Sequence, residues 1–435
     1  MSARKTILQG TLILTAVGFL CRFMGFFYRI FLSHTFGEEN VGLYQLTFPV
    51  FALCISFTSA GLETAISRTV ARKQSLHQPR EASETLFISC LLSVITMIIL
   101  QKNAADLSTA LLGDPRCEEI LILLSYALPL SSIHGCIMGY CYGLKQTQIP
   151  AVSQLIEQTA RILSVFCLYR FATRNGLHAD ISIAAAGIAF GELFSTFYSV
   201  RRLQKSRSDI FRPGFSFSSI RLRFRELVPL SLPLTANRVL LGLLQGIEAV
   251  SIPGCLKLYN HSTSEALSTY GVLTGMALPC ILFPSAITNS VSIMLMPTVA
   301  ELQVKDQASG IRKLLQKVLG SCFLMGLFCC LFFLFFGQLI GQFLFASDLA
   351  GNFIITLAWI CPFLYVNGSL LSVLNGFGKT TTSFTINTVG LAIRIGSVFF
   401  AIPVFGIQGY LWGLLISQLA VSICCSVVLK HLISA

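Results

Sequence analysis

Apolar windows of about 20 residues or more recur along this chain, and a bilayer core about 30 Å thick is crossed by a helix of about that length. The windows run over 6–32, 41–66, 85–104, 118–142, 149–171, 180–202, 226–250, 266–297, 314–337, 351–375, 380–403 and 406–429. Within hydrocarbon every backbone N–H and C=O must be satisfied inside its own segment, which leaves helices. The pattern predicts an all-α polytopic membrane protein of about twelve transmembrane helices. Composition agrees: mean hydropathy is +0.74, with 54% hydrophobic and 11% charged residues, which excludes a soluble domain. The first window is far longer than a signal-peptide core and is followed by no small-residue cleavage pattern, so it is expected to stay as the first helix.

That first window carries two arginines and no acid. Gly18, Arg22, Gly25 and Arg29 fall at i, i+4, i+7 and i+11, which places them on one helix face. Each guanidinium at bilayer depth costs about 2.5–3.5 kcal/mol on insertion scales, so this face needs an aqueous cavity or a partner. Arg29 lies about a turn from the predicted outer end, where snorkelling to the headgroups is an equal reading. Arg22 lies deeper, where lining a cavity is the better one.

A formal net charge of +12 in isolation suggests nucleic acid, but the basic residues alternate between loops. Loops on one side hold 21 lysines and arginines, among them Arg68, Lys145, Arg201, Arg202 and Lys379, whereas the opposite loops hold 5: Lys102, Arg116, Arg170, Arg174 and Lys257. By the positive-inside rule both termini face the cytoplasm and the chain sits in the cytoplasmic membrane. No nucleic-acid partner is expected; anionic lipid is. The basic stretch Gln204 to Arg225 reads as a cytoplasmic linker between an N-terminal six-helix lobe (1–203) and a C-terminal one (226–435).

Internal repetition supports that division. A shift of 233 residues superposes Pro129 on Pro362, Gly135 on Gly368, Gly143 on Gly376, Thr147 on Thr380, Arg161 on Arg394 and Ser164 on Ser397; Gly187, Gly191 and Ser195 match Gly409, Gly413 and Ser417 at a shorter offset. Six spans per half bring both halves into the membrane in the same sense. The expected architecture is therefore two parallel lobes around a central cavity, a geometry that serves alternating access.

Polar residues recur inside the windows. Gln45, Ser56 and Glu63 share a face of the second; Arg238, Gln245 and Glu248 share one of the seventh; Glu157 and Arg161 stand at i, i+4 in the fifth; Asn289 lies in the eighth and Arg394 in the eleventh. Groups left in lipid would each cost several kcal/mol, so they are expected to meet water or one another. Glu157 and Arg161 have the order that pairs within a helix, so an internal bridge and substrate contact are equal readings. Arg238 and Glu248 are too far apart to pair and read as functional, while Glu63, beside Arg68, reads as structural or gating. The candidate cationic site is Arg22, Arg29, Arg238, Arg161 and Arg394, with Glu63, Glu248, Gln45, Gln245 and Asn289 for coupling or gating. No catalytic residue, metal or cofactor is expected. The 15 cysteines lack ligand spacing and read as small apolar fillers, and the six histidines form no sequence cluster.

Residues Cys21–Gly37, Gly42–Phe51, Tyr142–Ile162, Tyr270–Glu301 and Leu374–Leu415 resemble the stage V sporulation protein B group. That group belongs to the oligosaccharide-flippase branch of the superfamily that also contains lipid II flippases and multidrug and toxin extrusion proteins. The resemblance implies flipping of an undecaprenyl-(pyro)phosphate-linked saccharide, a cell-wall or spore-cortex precursor, by alternating access between two lobes. Lipid II flippases carry Arg-x-x-Gly-x-x-Arg in their first helix; Arg22 and Gly25 match it, Tyr28 stands at the second arginine and Arg29 follows. Many members of the branch have fourteen spans against about twelve here. A cationic cavity is what a pyrophosphate headgroup requires. The competing functions are a cation-coupled multidrug exporter, which wants cavity acids, and a non-transporting partner of a cell-wall synthase. A polymerase or ligase would need a long external loop with paired acids, and no such loop exists.

Overall fold

The computed structural model describes residues 3–75, 83–205, 217–259, 262–304 and 308–434. Much of the expected linker 204–225, with Arg207 and Arg212, and the loop residue Arg80 lie outside the described residues. Among those described there is no strand. The principal helices are α1 (Ala3–Ile55), α2 (Gly61–Ser75), α3 (Ser83–Lys102), α4 (Cys117–Ser125), α5 (Ala127–Gly143), α6 (Gln148–Arg174), α7 (Ser182–Lys205) and α8 (Phe217–Leu258). They continue with α9 (Thr263–Gly271), α10 (Ser285–Val304), α11 (Ala308–Phe345), α12 (Asp348–Ala358), α13 (Cys361–Gly376), α14 (Thr380–Gly396) and α15 (Ile407–Ser434).

Eight helical stretches among the described residues are long and apolar enough to cross a membrane, and two bent pairs, α4–α5 (40°) and α12–α13 (57°), bring ten. One of the eight, Ile13–Ala71, has 59 residues. At 1.5 Å per residue that is about 88 Å, far more than one crossing needs. It breaks at Gly37 (φ 79, ψ 170), a left-handed position suited to glycine, and so makes two crossings. Helix α6, 27 residues long, falls short in apolarity because it carries Glu157 and Arg161. Counting both gives the twelve expected. Phe328, Phe335 and Phe343 on α11 are exposed, as side chains facing acyl chains would be.

The described residues form two compact units: Met1–Tyr28 with Leu43–Gly246, and Arg29–Gly42 with Ile247–Ala435. In the first, Ile66 and Val70 of α2 pack with Cys136, Ile137 and Tyr140 of α5. A methyl group added at Gly143 would lie 2.7 Å from the Ser67 carbonyl oxygen and 2.8 Å from Val70 Cβ, so only glycine lets α2 and α5 approach this closely. In the second unit, Leu295 and Val299 of α10 pack with Val373 and Leu374 of α13, and Gly376 would meet the Met296 carbonyl at 2.8 Å and Val299 Cβ at 3.1 Å.

The two glycines are the repeat partners read from the sequence, and the turns after them match bond for bond. Leu144 N–H donates to Tyr140 O (3.1 Å), Lys145 N–H to Tyr142 O (3.0 Å) and Gln146 N–H to Cys141 O (2.9 Å). At a shift of 233, Phe377 N–H donates to Val373 O, Gly378 N–H to Asn375 O and Lys379 N–H to Leu374 O, each at 3.0 Å. Lys145 (φ 58) and Gly378 (φ 75) hold the same left-handed C-terminal cap.

Local signals set other boundaries. Ser262 and Glu265 form a reciprocal capping box at the start of α9, with Ser262 N–H donating to Glu265 Oε2 (2.9 Å) and Glu265 N–H to Ser262 Oγ (3.2 Å). Ser347 caps α12 by accepting from Ala350 N–H at 3.1 Å. All fifteen cysteines are free.

Candidate functional site

Five arginines were expected to converge, and the structure sorts them into two kinds. Arg22 is exposed on α1 and makes no ion pair with any other described residue. Three residues on, Gly25 turns toward α6, where an added Cβ would lie 3.4 Å from Gln158 Nε2, and the Cys21 thiol points at the Gln154 carbonyl. Of the four residues on that face, Gly25 meets α6, Gly18 has nothing within 4 Å of an added Cβ, and Arg22 is exposed. Arg238 on α8 is also exposed and lies within electrostatic reach of Glu63. Arg29 is half-buried and engaged with neighbouring groups.

Arg161 and Arg394 are the second kind, each held by a carboxylate. Arg161 binds Glu157 one turn earlier on α6, which is the within-helix bridge that the spacing allowed. Its repeat partner Arg394, on α14, reaches instead to α8. There its guanidinium clasps Glu248 with two N–H groups, Nε donating to Oε1 at 2.7 Å, and Tyr410 Oη donates to the same oxygen at 2.7 Å. Glu248 is only 3% exposed, so this carboxylate is satisfied on three sides inside the second unit. Sequence reasoning named both Glu248 and Arg394 but did not connect them, since they are 146 residues apart. Tyr410 it missed altogether.

The remaining polar candidates are spread. Gln45 and Asn289 are half-buried and Gln245 is exposed. An added Cβ at Gly368 would lie 3.3 Å from Asn289 Oδ1, so Asn289 sits at the α10–α13 contact. Glu63 on α2 is acted on by the charges of Arg238 and His134, a different setting from the Arg68 neighbour that the sequence suggested.

The structure also assembles a group that the sequence did not flag. His134 on α5 sets Nδ1 3.2 Å from Glu192 Oε2 on α7, and its Nε2 contacts the Ser153 hydroxyl on α6. The ligating atoms of His134, Glu192 and Glu157 all lie within 4.8 Å of one another. His134 and Glu192 are each 8% exposed. The available signal was that ionisable residues inside apolar windows are rare; nothing in spacing tied one to the other.

A family model described as "Polysaccharide biosynthesis protein" matches residues 7–303, well over half of the chain. The chain belongs to that family. It is similar to stage V sporulation protein B of Bacillus subtilis (strain 168), with 28% identity over 419 residues that cover 94% of this chain and 80% of the relative. Among solved structures it is similar to the lipid II flippase MurJ in an inward closed conformation, with TM-score 0.76, 13% identity, and 96% of this chain and 87% of that one covered. An inward-facing multidrug resistance MATE family transporter of the MOP superfamily gives TM-score 0.72, 14% identity, and 99% and 98% coverage. Identities this low speak to the fold alone. With family and fold together, the chain is a multi-pass membrane protein of the polysaccharide biosynthesis family that has the fold of those transporters. The family match takes in Arg22, Glu63, Arg161, Arg238, Glu248 and Asn289, whereas Arg394 and Tyr410 lie beyond it.

Proposed function

We propose that the cargo is an undecaprenyl-(pyro)phosphate-linked saccharide, a peptidoglycan precursor of cell wall or spore cortex, carried from the cytoplasmic to the outer leaflet by alternating access. The observation that carries this reading is Arg22: an exposed guanidinium on an apolar span, without a carboxylate among the described residues to neutralise it. Guanidinium groups bind phosphate through two parallel N–H donors, and a headgroup bearing one or two phosphates supplies the accepting oxygens. Arg238 is the second exposed cation and is read as a second contact. Arg29 assists. Arg161 and Arg394, already held by Glu157 and Glu248, serve the headgroup only when those pairs open.

In this reading Glu63 and Glu248 gate or couple, and Gln45, Gln245 and Asn289 supply neutral hydrogen bonds. The setting is the cytoplasmic membrane with both termini inside, which rests on the asymmetry of basic residues between loops. Anionic lipid and cell-wall synthases are the proposed neighbours. Support for the cargo class comes from the names of the relative and the neighbour, a sporulation protein and a lipid II flippase.

The test is reconstitution of the full chain with a fluorescent undecaprenyl-pyrophosphate saccharide, scored by accessibility to a membrane-impermeant quencher. Wild type is expected to equilibrate the label across the bilayer, and Arg22→Ala to slow this at least tenfold. Transfer no faster than in protein-free vesicles would reject the proposal. A second reading, export of cationic drugs, is favoured by the likeness to a MATE transporter, and movement of an organic cation in preference to the pyrophosphate lipid would support it. Full function of Arg22→Ala in cells, together with crosslinking to a synthase, would instead favour a non-transporting partner.

A further inference from the structure

The His134 group differs in kind from the arginine sites, and the repeat shows how. Adding 233 to His134 gives Asn367 on α13, one residue before Gly368 just as His134 precedes Gly135. Asn367 is satisfied by neutral partners: its Nδ2 donates to Gln418 Oε1 (2.7 Å) and to the Gln418 carbonyl (3.0 Å), and Ser422 Oγ donates to its Oδ1 (2.6 Å). The same place in the same architecture is thus filled by an amide network in the second unit and by imidazole with carboxylates in the first. Hydrogen-bond satisfaction alone does not call for ionisable groups there. What the first unit has in addition is a group able to change charge.

The charges around it leave a deficit of one. The acids in reach of His134 are Glu192 from α7, Glu157 from α6 and Glu63 from α2. The guanidiniums that answer them are Arg161, bound to Glu157, and Arg238, which acts on Glu63. From α1, Tyr28 and Tyr44 face Arg161, and α3 contributes Ser89, bonded to Ser132 of α5, and the thiol of Cys90. Among the described residues these are three carboxylates against two guanidiniums, an excess of one negative charge; Arg161 is bound to Glu157 and also faces Glu192, which itself makes no ion pair with an arginine. A proton shared by His134 Nδ1 and Glu192 Oε2 cancels the excess. Both ring nitrogens already face acceptors, Glu192 on one side and the Ser153 hydroxyl on the other, the arrangement that a doubly protonated imidazole uses.

We infer that His134 and Glu192, with Glu157 beside them, form a proton-binding site inside the first unit, and that its proton is the ion coupled to cargo movement. The coupling half rests on the transport reading above; the binding half does not. When the proton leaves, the cluster acquires net charge −1 within a low-dielectric bundle, so the loaded and empty states favour different arrangements of α5, α6 and α7.

Two measurements on the full chain in lipid nanodiscs and vesicles test this. In the first, histidine labelled with carbon-13 and nitrogen-15 is followed by NMR from pH 5 to 9. One imidazole signal, absent from His134→Asn, is expected to titrate, and Glu192→Gln is expected to move its midpoint by one pH unit or more. A His134 signal fixed in one charge state across the range would overturn the site, as would stoichiometric Zn²⁺ or Mn²⁺ binding by the wild type that Glu192→Gln abolishes. The second imposes a pH difference of one unit on vesicles carrying the pyrophosphate-linked probe. One coupled proton displaces the wild-type steady-state distribution tenfold per unit, and the double variant His134→Asn with Glu192→Gln, which puts neutral amides at both positions, shows none of this displacement. A wild-type distribution indifferent to the gradient would overturn the coupling. Should no lipid-linked probe move in any vesicle while His134 still titrates, the transport reading fails and the proton site stands.

Discussion

Replacing Glu248 by alanine tests the buried contact that joins α8 to α14 and α15. The carboxylate receives Arg394 Nε and Tyr410 Oη at 2.7 Å each and a further N–H from Arg394, and it is 3% exposed. Truncating one partner of a buried pair in a soluble protein costs about 3–5 kcal/mol, because the other charge is left uncompensated. Polar contacts between membrane helices are worth less, about 0.6 kcal/mol on average and at most about 1.7, since the unfolded chain in the bilayer finds other partners. The Arg394 side chain is 26% exposed, so part of its charge stays solvated. Weighing these, Glu248→Ala is expected to cost about 2–3 kcal/mol. Arg394→Ala is expected to cost a comparable amount, and the double variant little more than either single. The chain's two tryptophans, Trp359 and Trp412, both belong to the second unit, so their fluorescence during unfolding in mixed micelles of rising dodecyl sulfate reports on the unit that holds the pair. A coupling energy of at least about 1.5 kcal/mol from the double-mutant cycle is the expected result. Strict additivity, within about 0.5 kcal/mol, would refute the claim that these side chains stabilise the unit as a pair.

Three further outcomes follow from the repeat and the packing. Gly143→Ala and Gly376→Ala, each facing a carbonyl and a valine at 2.7–3.1 Å, should both destabilise by about 1–3 kcal/mol in the same assay, while Gly254→Ala, with nothing within 4 Å, should be neutral or slightly stabilising. Gly378→Ala forces a Cβ into a left-handed cap and should cost about 1 kcal/mol, whereas Lys145→Gly at the equivalent turn should cost nothing; equal penalties for both would contradict the shared cap geometry. With all fifteen cysteines free, the protein should migrate identically on gels with and without reductant after thiols are blocked before lysis.

The span pattern was legible because lipid leaves the backbone one choice, so the apolar windows map closely onto helices. The bends at Tyr126 and after Ala358 were not, although Pro129 and Pro362 marked the neighbourhood; proline is common in membrane helices and does not by itself say where a span breaks. The repeat could be read from Pro, Gly and Arg because hydrophobicity alone would not align them, and the turns at Lys145 and Gly378 then matched down to single hydrogen bonds. For the site, spacing identified contacts within one helix, such as Glu157 with Arg161. It was blind to Glu248 with Arg394, and to His134 with Glu192, because those pairs depend on which helices become neighbours. Periodicity names the face of a helix; it does not name the helix opposite.

The central claim is that guanidinium groups at membrane depth recognise phosphate. It is tested most directly by offering reconstituted wild type and Arg22→Gln two lipids with the same saccharide and polyprenyl chain, one linked through pyrophosphate and one through a neutral ether. Wild type is expected to move the pyrophosphate lipid at least tenfold faster than the neutral one, and Arg22→Gln to lose most of that preference. Equal rates for the two lipids in wild type, or a preference untouched by Arg22→Gln, would contradict the account.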